Sequence, residues 1–574
     1  MRIAVSTFGL FLALGVLAGL GAPGTAWSQP GTVLSEQKLS DSQGNFTGPL
    51  SDLDEFGGAV VGLGDLDGAG PSTVAVAIGA VGDDDGGGNR GAVYILFLDG
   101  TGNVLSEQKI SDTQGNFTAT IDNSDDFGCS LAYLGDLDGA GPSVATLAVG
   151  AAGDDDGGTD RGAVYILFLA STGNVLSYQK ISDTQGNFTA TIFNADEVGG
   201  AVAFLGDLDG AGTSVGALAV GSAPFDDGGI NRGAVYIMFL NSAGSVLSYQ
   251  RISRTAGGLP AIIDTADEFG SSVAGLGDLD GAGTSVGALL VGAIGDDDGG
   301  SDRGAIYVLF LDNAGMVLSY QKISDLVGNF LAPLDNLDEF GGAVANLGDL
   351  DPFGGGNTVT AVAVGAIGDD DGGQNRGAAY LLFLDSTGNV TSWLGNDGAV
   401  HTYHKISDSA GNLTSALADG DEFGGAVAAL GDLDGDGEAE QVLVVGASFD
   451  DEGGEDRGAA YVLFLDGVDV VDASELPPGA SRHRLGLARP NPFNPSTSIP
   501  YELASSGRVE IDIFDVEGRL VRKLAPGPVA AGTHVTLWNG LDDRGRRLAS
   551  GSYFYRLSVD GRIATAARRA VLLK

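Results

Sequence analysis

One seven-residue segment occurs six times along this 574-residue chain and leaves few folds open to it. Asp54-Glu55-Phe56-Gly57-Gly58-Ala59-Val60 returns with its aromatic position at Phe127, Val198, Phe269, Phe340 and Phe423, in steps of 71, 71, 71, 71 and 83 residues. The longer last step holds two extra residues at Asp351 to Gly356 and ten between Asn389 and His404. A fixed period of this size is the mark of a repeat architecture, in which each unit buries its apolar faces against its neighbours. Six units span about residues 34 to 466.

Each unit contains four short β-type runs between Gly- and Asp-rich turns. In the first unit they are Gly58 to Leu63, Val74 to Ala80, Ala92 to Leu98 and Val104 to Ile110. Branched and aromatic residues in such runs predict strands. Four strands per unit and no helical period predict an all-β chain built as a six-bladed β-propeller; a linear solenoid is the rival. The ends favour the ring. Val33 to Ser40 matches the fourth strand of a unit, whereas the sixth unit stops after its third strand at Leu465. An N-terminal fourth strand in the last blade would leave no open sheet edge at the closure.

Composition follows from the turns. Gly is about 17% of the chain (96 residues) against roughly 7% in an ordinary protein, without the every-third spacing of collagen. An apolar content of 43% excludes a disordered polyelectrolyte. The net charge of -47 argues against nucleic acid as a partner, because phosphates would be repelled. Residues 484 to 574 hold 14 of the 29 basic residues and 8 of the 76 acids, so an acidic body precedes a basic tail and two domains are expected.

The N-terminus reads Met1-Arg2, an apolar run from Ile3 to Leu20, and Ala26-Trp27-Ser28, which predicts a signal peptide of residues 1 to 28. A membrane anchor is the alternative reading, since a span needs about 20 apolar residues. Once the signal is cleaved no membrane span is expected, and the chain would be a monomer exported through the periplasm and secreted or held on the outer cell surface. Cys129 is the only cysteine, so no internal disulfide is possible and it reads as a small packing residue.

Two kinds of acidic turn recur. Between the first and second strands of the sixth unit lies Asp432-Leu-Asp434-Gly-Asp436-Gly-Glu438-Ala-Glu440. Three carboxylates at alternate positions, a Gly, a carbonyl at the seventh position and an acid at the ninth form an oxygen cage suited to Ca²⁺. The corresponding turns at Asp65-Asp67, Asp136-Asp138, Asp207-Asp209 and Asp278-Asp280 lose the third carboxylate and place Thr73, Val144, Val215 or Val286 at the ninth position. Asp349-Leu-Asp351 is interrupted by Pro-Phe. These five read either as weak metal sites or as turns whose Asp serves backbone hydrogen bonding. The second kind follows strand two, as Asp83-Asp84-Asp85, Asp154 to Asp156, Asp296 to Asp298 and Asp369 to Asp371. Each precedes an Arg (Arg90, Arg161, Arg303, Arg376, with Arg232 and Arg457 in variant units), so an Arg-carboxylate clamp or further Ca²⁺ is expected to offset the repulsion.

These residues resemble a known repeat. Phe56-Gly57, the turn from Asp65 and Ile78-Gly79-Ala80 are similar to the FG-GAP repeat of integrin α propellers and many bacterial surface proteins. The resemblance implies side-chain calcium ligation by Asp432, Asp434, Asp436 and Glu440 and a backbone role for Glu438. Two departures stand out: integrin propellers have seven blades, and the usual Gly-Ala-Pro is here Gly-Ala followed by Ile, Val, Ala or Ser.

Little in the chain points to catalysis, and no enzyme activity is expected. The four histidines are His401, His404, His483 and His534, and the carboxylates repeat with the scaffold. The ten-residue insertion breaks the repeat and brings Trp393, His401 and Tyr403, a possible contact loop for a sugar or a protein; an elongated hairpin is the plain alternative. A propeller-based polysaccharide lyase or hydrolase, and an acidic surface-layer or matrix protein, are the competing functions.

After a linker at residues 468 to 483, residues 484 to 574 form a second β domain, with strands expected near Val509 to Phe514, Thr533 to Trp538, Gly551 to Val559 and Ala567 to Leu573 as a small sandwich. Pro490-Asn491-Pro492-Phe493-Asn494-Pro495, Val516 to Val521, Trp538 to Gly545, Gly551 to Tyr555 and Leu572-Leu573-Lys574 resemble the C-terminal sorting domain of type IX secretion substrates and the related immunoglobulin-like domain of flagellar hook-cap proteins. That resemblance implies outer-membrane secretion machinery as a partner; an immunoglobulin-like spacer is the plain alternative. The full expectation is a propeller over residues 29 to 467 that binds an extracellular protein or glycan, with Ca²⁺ as cofactor.

Overall fold

The computed structural model describes residues 31–68, 73–139, 143–210, 214–281, 285–348, 360–391, 393–394, 400–431, 433 and 441–466 of the repeat region. In the C-terminal region it describes 484–485, 493, 495–503, 506–515, 519–530, 532–559, 562–563 and 568–572. Every regular element among them is a strand, and no helix is long and apolar enough to cross a membrane.

The strands form six four-stranded antiparallel sheets, one per unit. In unit one the order is Phe56–Gly64, Val74–Ala80, Ala92–Leu98, Val104–Ile110. The two central strands are buried along their whole length, which is why they read as unbroken apolar runs, as strands covered on both faces do. The fourth strand is an edge: Leu105 and Ser106 lie open to solvent, and the half-buried Glu107 accepts from Thr47 of the preceding loop, placing a charge on the edge that keeps it from pairing with other chains.

Because side chains alternate across a strand, each sheet feeds two apolar clusters. Ala77, Val93 and Ile95 of unit one pack with Leu147, Val149 and Tyr165 of unit two. The intervening Val76, Ile78, Tyr94 and Leu96 pack with Val442, Val444, Ala460 and Val462 of unit six. The sixth sheet has its own third strand, Ala459–Leu465, paired with Val33–Leu39 from the other end of the repeat region, Lys38 opposite Tyr461 and Leu39 opposite Ala460. The fourth strand expected from Val33 to Ser40 is therefore in the sixth sheet.

Adjacent sheets also meet backbone to backbone. Phe127 N–H donates to Arg90 O at 3.1 Å, and Phe56 N–H donates to Arg457 O at 3.0 Å, so units one and two meet as units six and one do. Gly79 lies directly under the carbonyl of Gly128, and Gly446 under that of Gly57, where any Cβ would collide. Gly57 itself has φ 104°, a conformation that only Gly adopts without strain.

The C-terminal region has two sheets. One joins Arg484–Leu485, Thr497–Leu503 and Gly532–Trp538; the other joins Leu520–Val529, Gly507–Phe514 and Gly551–Val559, with Arg562–Ile563 and Arg568–Leu572 both paired to Gly551–Val559. Trp538, Tyr555 and Phe493 centre its core. The four strands expected here are present; Thr497–Leu503 and Leu520–Val529 were not anticipated, because Pro500, Pro526 and Pro528 break their β pattern.

Deleting residues 31 to 39 removes the buried Val33 and Leu39 and exposes the Ala459–Leu465 edge. The repeat region should lose about 3 kcal/mol or more in urea unfolding and gain light scattering. An unchanged midpoint would show that the N-terminal strand is dispensable.

Candidate functional site

The acidic turns after the second strands are neutralised from within their own sheets. Lys109, on the fourth strand of unit one, places Nζ 2.5 Å from Asp83 and 2.9 Å from Asp85. Lys180, Lys322 and Lys405 do the same for Asp154 and Asp156, Asp296 and Asp298, and Asp369 and Asp371. In unit six Lys38, from the N-terminal strand, reaches Asp450 and Glu452, both at 2.7 Å. Each of these lysines lies over a buried tyrosine ring, as Lys180 does over Tyr165 at 5.3 Å, a cation–π contact. Tyr165, Tyr307, Tyr380 and Tyr461 donate their hydroxyls to the same first Asp of the turn, whereas Tyr94 donates to Pro49 O.

Burial pushes the Asp85 carboxyl up, but bonds from Lys109, Gln114 and Ser111 outweigh it and hold the group below its ordinary value. Burial likewise works against Lys180, and its bonds to Asp154 and Asp156 leave it raised.

The expected arginine clamp is present with other partners. Arg90 pairs with Asp112 at 2.7 Å and donates from Nε to Asn123, on the segment leading to unit two. Arg161, Arg303, Arg376 and Arg457 bridge to Asp183, Asp325, Asp408 and Asp41. The clamp thus ties the turn to the loop after its sheet, and the triple-Asp turn takes its counter-charge from Lys instead. Unit three departs: Phe225 stands where the first Asp would be, and Arg251 replaces Lys and sits 5.0 Å from the Phe225 ring. Here the first carboxylate is lost while the cation is kept as Arg251, whose charge faces the Phe225 ring and still acts on Asp227 at the third turn position.

A second acidic arrangement went unremarked in the sequence because its residues sit inside the repeat marker. Glu55, Asp126, Glu197, Glu268, Glu339 and Glu422 all have left-handed φ between 50° and 55°. Their N–H groups donate to Asp456, Asn89, Asp160, Asn231, Asp302 and Asn375 of the preceding unit. Burial raises the Glu55 carboxyl, and Asp126 and Asp456 raise it further. Glu197 is raised by burial, Asp160, Asp126 and Glu268; Glu339 by burial, Asp302 and Glu268. Glu422 is pushed up to about 7 by burial and by Glu339, Glu55 and Asp456. The six acids therefore influence one another around a circuit in which unit six acts on unit one. An acid at one fixed position of every unit, beside an Asn/Asp alternation at Asn89, Asp160, Asn231, Asp302, Asn375 and Asp456, is the signal that could have found it.

Of the turns between first and second strands, Asp432, Asp434, Asp436, Glu438 and Glu440 lie outside the described residues, as do Asp349 and Asp351. In the described turns Asp136, Asp207 and Asp278 each accept the N–H of the Gly three residues on, at 3.0, 2.9 and 2.9 Å. Asp138 accepts the Ser143 hydroxyl. This is the backbone-supporting role that Asp takes in turns. Asp65, Asp67, Asp209 and Asp280 lie on the same turns, and among the described residues no three metal-ligating side chains converge.

The insertion in unit five forms a two-residue hairpin, Trp393–Leu394 against Val400–His401, and the fourth strand is cut to Tyr403–Ile406. The Trp393 side chain lies outside the described residues. Tyr403, expected in the contact loop, is instead held in the sheet: its ring packs 5.8 Å from Phe330 and 5.7 Å from Tyr380, as Tyr178 packs on Phe117 and Tyr165. A cleft of about 460 Å³ opens beside it, lined by Leu331, His401, Thr402, Tyr403, His404 and Lys405 among others.

Residues 495–562 match the family model of the FlgD Ig-like domain. No curated protein matches the chain. Among solved structures, PorZ of Porphyromonas gingivalis, described as a surface component of the type IX secretion system, is 14% identical at a TM-score of 0.36. The alignment covers 92% of this chain and 60% of PorZ. A fungal alcohol oxidase in complex with copper is 13% identical at TM-score 0.32, covering 92% and 99%. FlgD from Xanthomonas campestris is 25% identical at TM-score 0.12, covering 16% of this chain and 68% of its own. All three scores lie below 0.5 and assign neither fold nor function.

Two outcomes are expected. Lys109→Met strands Asp83, whose side chain is 3% exposed, and should cost roughly 3–5 kcal/mol in urea unfolding. The pair Asp83→Phe with Lys109→Arg, which copies unit three, should cost much less. The second outcome concerns pH. Acids raised in the folded state, such as Glu422 and Asp125 at about 7 and Asp54 and Asp126 at about 6, destabilise when ionised, so stability is gained as pH falls through those values. Acids held low, such as Asp85 and Glu452, give stability that is lost only as pH falls below about 4. The denaturation midpoint should rise from pH 8 to pH 5 and then drop; a monotonic fall from pH 8 would contradict the geometry.

Proposed function

We propose that the chain is an exported binding module: a six-bladed β-propeller of FG-GAP type, stabilised by Ca²⁺ and carrying a C-terminal sorting domain for type IX secretion. Closure is supported by the sixth sheet, which takes strands from both ends of the repeat region, and by the Phe56–Arg457 junction, which copies that between units one and two. Export is supported by the apolar segment Ile3 to Leu20 and the Ala26-Trp27-Ser28 site. Sorting is supported by the FlgD Ig-like match and the Pro-rich opening at Pro490 to Pro495. Calcium would be held by Asp432, Asp434, Asp436 and Glu440 with the Glu438 carbonyl, where it would neutralise carboxylates and add its binding free energy to the folded state.

The observation that carries the binding role is the position of the asymmetry. In five of the six units a lysine neutralises the acids of the turn and an arginine ties the sheet to its following loop, so these repeated charges serve the scaffold. The repeat is interrupted at the unit-five insertion, and the cleft lies there. In this reading the propeller is a rigid support for a ligand loop, as loops on rigid scaffolds often are.

A screen against extracellular proteins and glycans, with and without Ca²⁺, tests it. Wild-type chain should retain a ligand that deletion of residues 391 to 400 abolishes, with the unfolding transition unchanged and raised by Ca²⁺. Retention by the deletion variant would remove the loop from the binding role, and a transition indifferent to Ca²⁺ and EDTA would remove the metal.

A further inference from the structure

At the fourth-strand position occupied by His404, the other units carry Gln37, Gln108, Gln179, Gln250 and Gln321. Each of these glutamines donates its side-chain amide to the carbonyl of the next residue at 2.7 or 2.8 Å. His404 cannot repeat that bond, and its Nε2 is buried with no hydrogen-bond partner among the described residues. The ring lies against Gly31, which has no room for a side chain. Burial, and then His401, push the imidazole down to about 4, so it is neutral at ordinary pH. A neutral ring with an unused polar atom beside a cleft has hydrogen-bonding capacity to offer.

The opposite wall is also altered. Leu331 stands where Thr47, Thr118, Thr189 and Thr414 stand in equivalent loops, and it is 66% exposed. Leu326 and Val327, on the same loop, replace pairs such as Thr113-Gln114 and are exposed as well. The loop is fastened to both ends of the insertion: Asn329 donates to Val390 O, and Leu331 N–H donates to the Thr402 hydroxyl, which is buried and donates to no acceptor among the described residues. Lys405 contributes no net charge, because Asp369 and Asp371 hold it at 2.6 and 2.7 Å. A cleft of about 460 Å³ is in the range of small-ligand sites, roughly 300–1,000 Å³.

We propose that this cleft is a binding subsite for an uncharged saccharide, with Leu331 against an apolar sugar face and His404 Nε2 and the Thr402 hydroxyl bonded to sugar hydroxyls. An apolar wall beside neutral donors and acceptors suits a polyhydroxylated ring. A polyanion would meet a chain of net charge -47 with no uncommitted Lys or Arg among the described residues that line the cleft. The assignment rests on the reading of the unit-five rim as the ligand loop, and it names the ligand class.

The test uses the full chain and two variants that restore residues found elsewhere in the repeat, His404→Gln and Leu331→Thr, so each should keep the wild-type unfolding transition. Titration calorimetry would use cellohexaose, laminarihexaose, mannohexaose and chitohexaose, with oligogalacturonate as the charged probe. At least one neutral oligosaccharide should bind, each variant should weaken it about tenfold, and oligogalacturonate should not bind. Absence of neutral binding at millimolar concentration, equal affinity in the variants, or equal binding of oligogalacturonate overturns the proposal. A protein ligand that the 391 to 400 deletion abolishes, with no saccharide bound, would sink the saccharide assignment and leave the loop reading standing. A ligand indifferent to both the deletion and the variants would sink both.

Discussion

Neighbouring sheets in the repeat region approach so closely that their backbones touch. Gly79 and Gly128 show the contact for units one and two, and Gly446 and Gly57 show it for units six and one. A methyl group at either buried position would drive into a carbonyl, and the Phe N–H to Arg O bond beside it would lengthen. Much of the Gly excess is therefore a spacing device. With that distance fixed, the alternating side chains of two-sided strands fill the space between sheets, small Ala and Val facing large Tyr and Phe.

The same closeness forces the treatment of charge. Turns and junctions at one end of each sheet bring many carboxylates within reach of one another, in a chain whose net charge is -47. Two solutions coexist. The triple-Asp turns are neutralised by a lysine lying over a tyrosine ring, a pair worth retaining only when it is well bonded. The six junction acids have no such partner among their causes of shift and are raised instead, so they trade charge against protons. Lysine and acid are both spent on the scaffold, and at the unit-five rim, where Gln and Thr give way to His404 and Leu331, an imidazole nitrogen is left without a partner beside a cleft.

The strand content was legible because the repeat shows each run six times, and three of the four runs in unit one have the boundaries expected of them. The N-terminal strand was legible from a missing fourth run. What the sequence hid was pairing at a distance. Arg90 follows the triple-Asp turn closely in sequence and was the natural counter-ion, yet Lys109 reaches it across the sheet, since register sets Lys109 opposite Tyr94. Tyr403 looked like an exposed aromatic because it follows the insertion, but the strand register puts it opposite Leu382 and into the core with Phe330. In the C-terminal domain the strands containing prolines escaped notice for the same local reason.

A ring requires units six and one to meet as every other pair of neighbouring units does. Native-state hydrogen exchange reads this at the six junction amides, Phe56, Phe127, Val198, Phe269, Phe340 and Phe423, which donate to the arginine carbonyl of the preceding unit. A closed ring predicts protection factors within about an order of magnitude of one another, since all six open only with the cooperative unit. Phe56 exchanging orders of magnitude faster than the other five would mean an open array, and would contradict the ring.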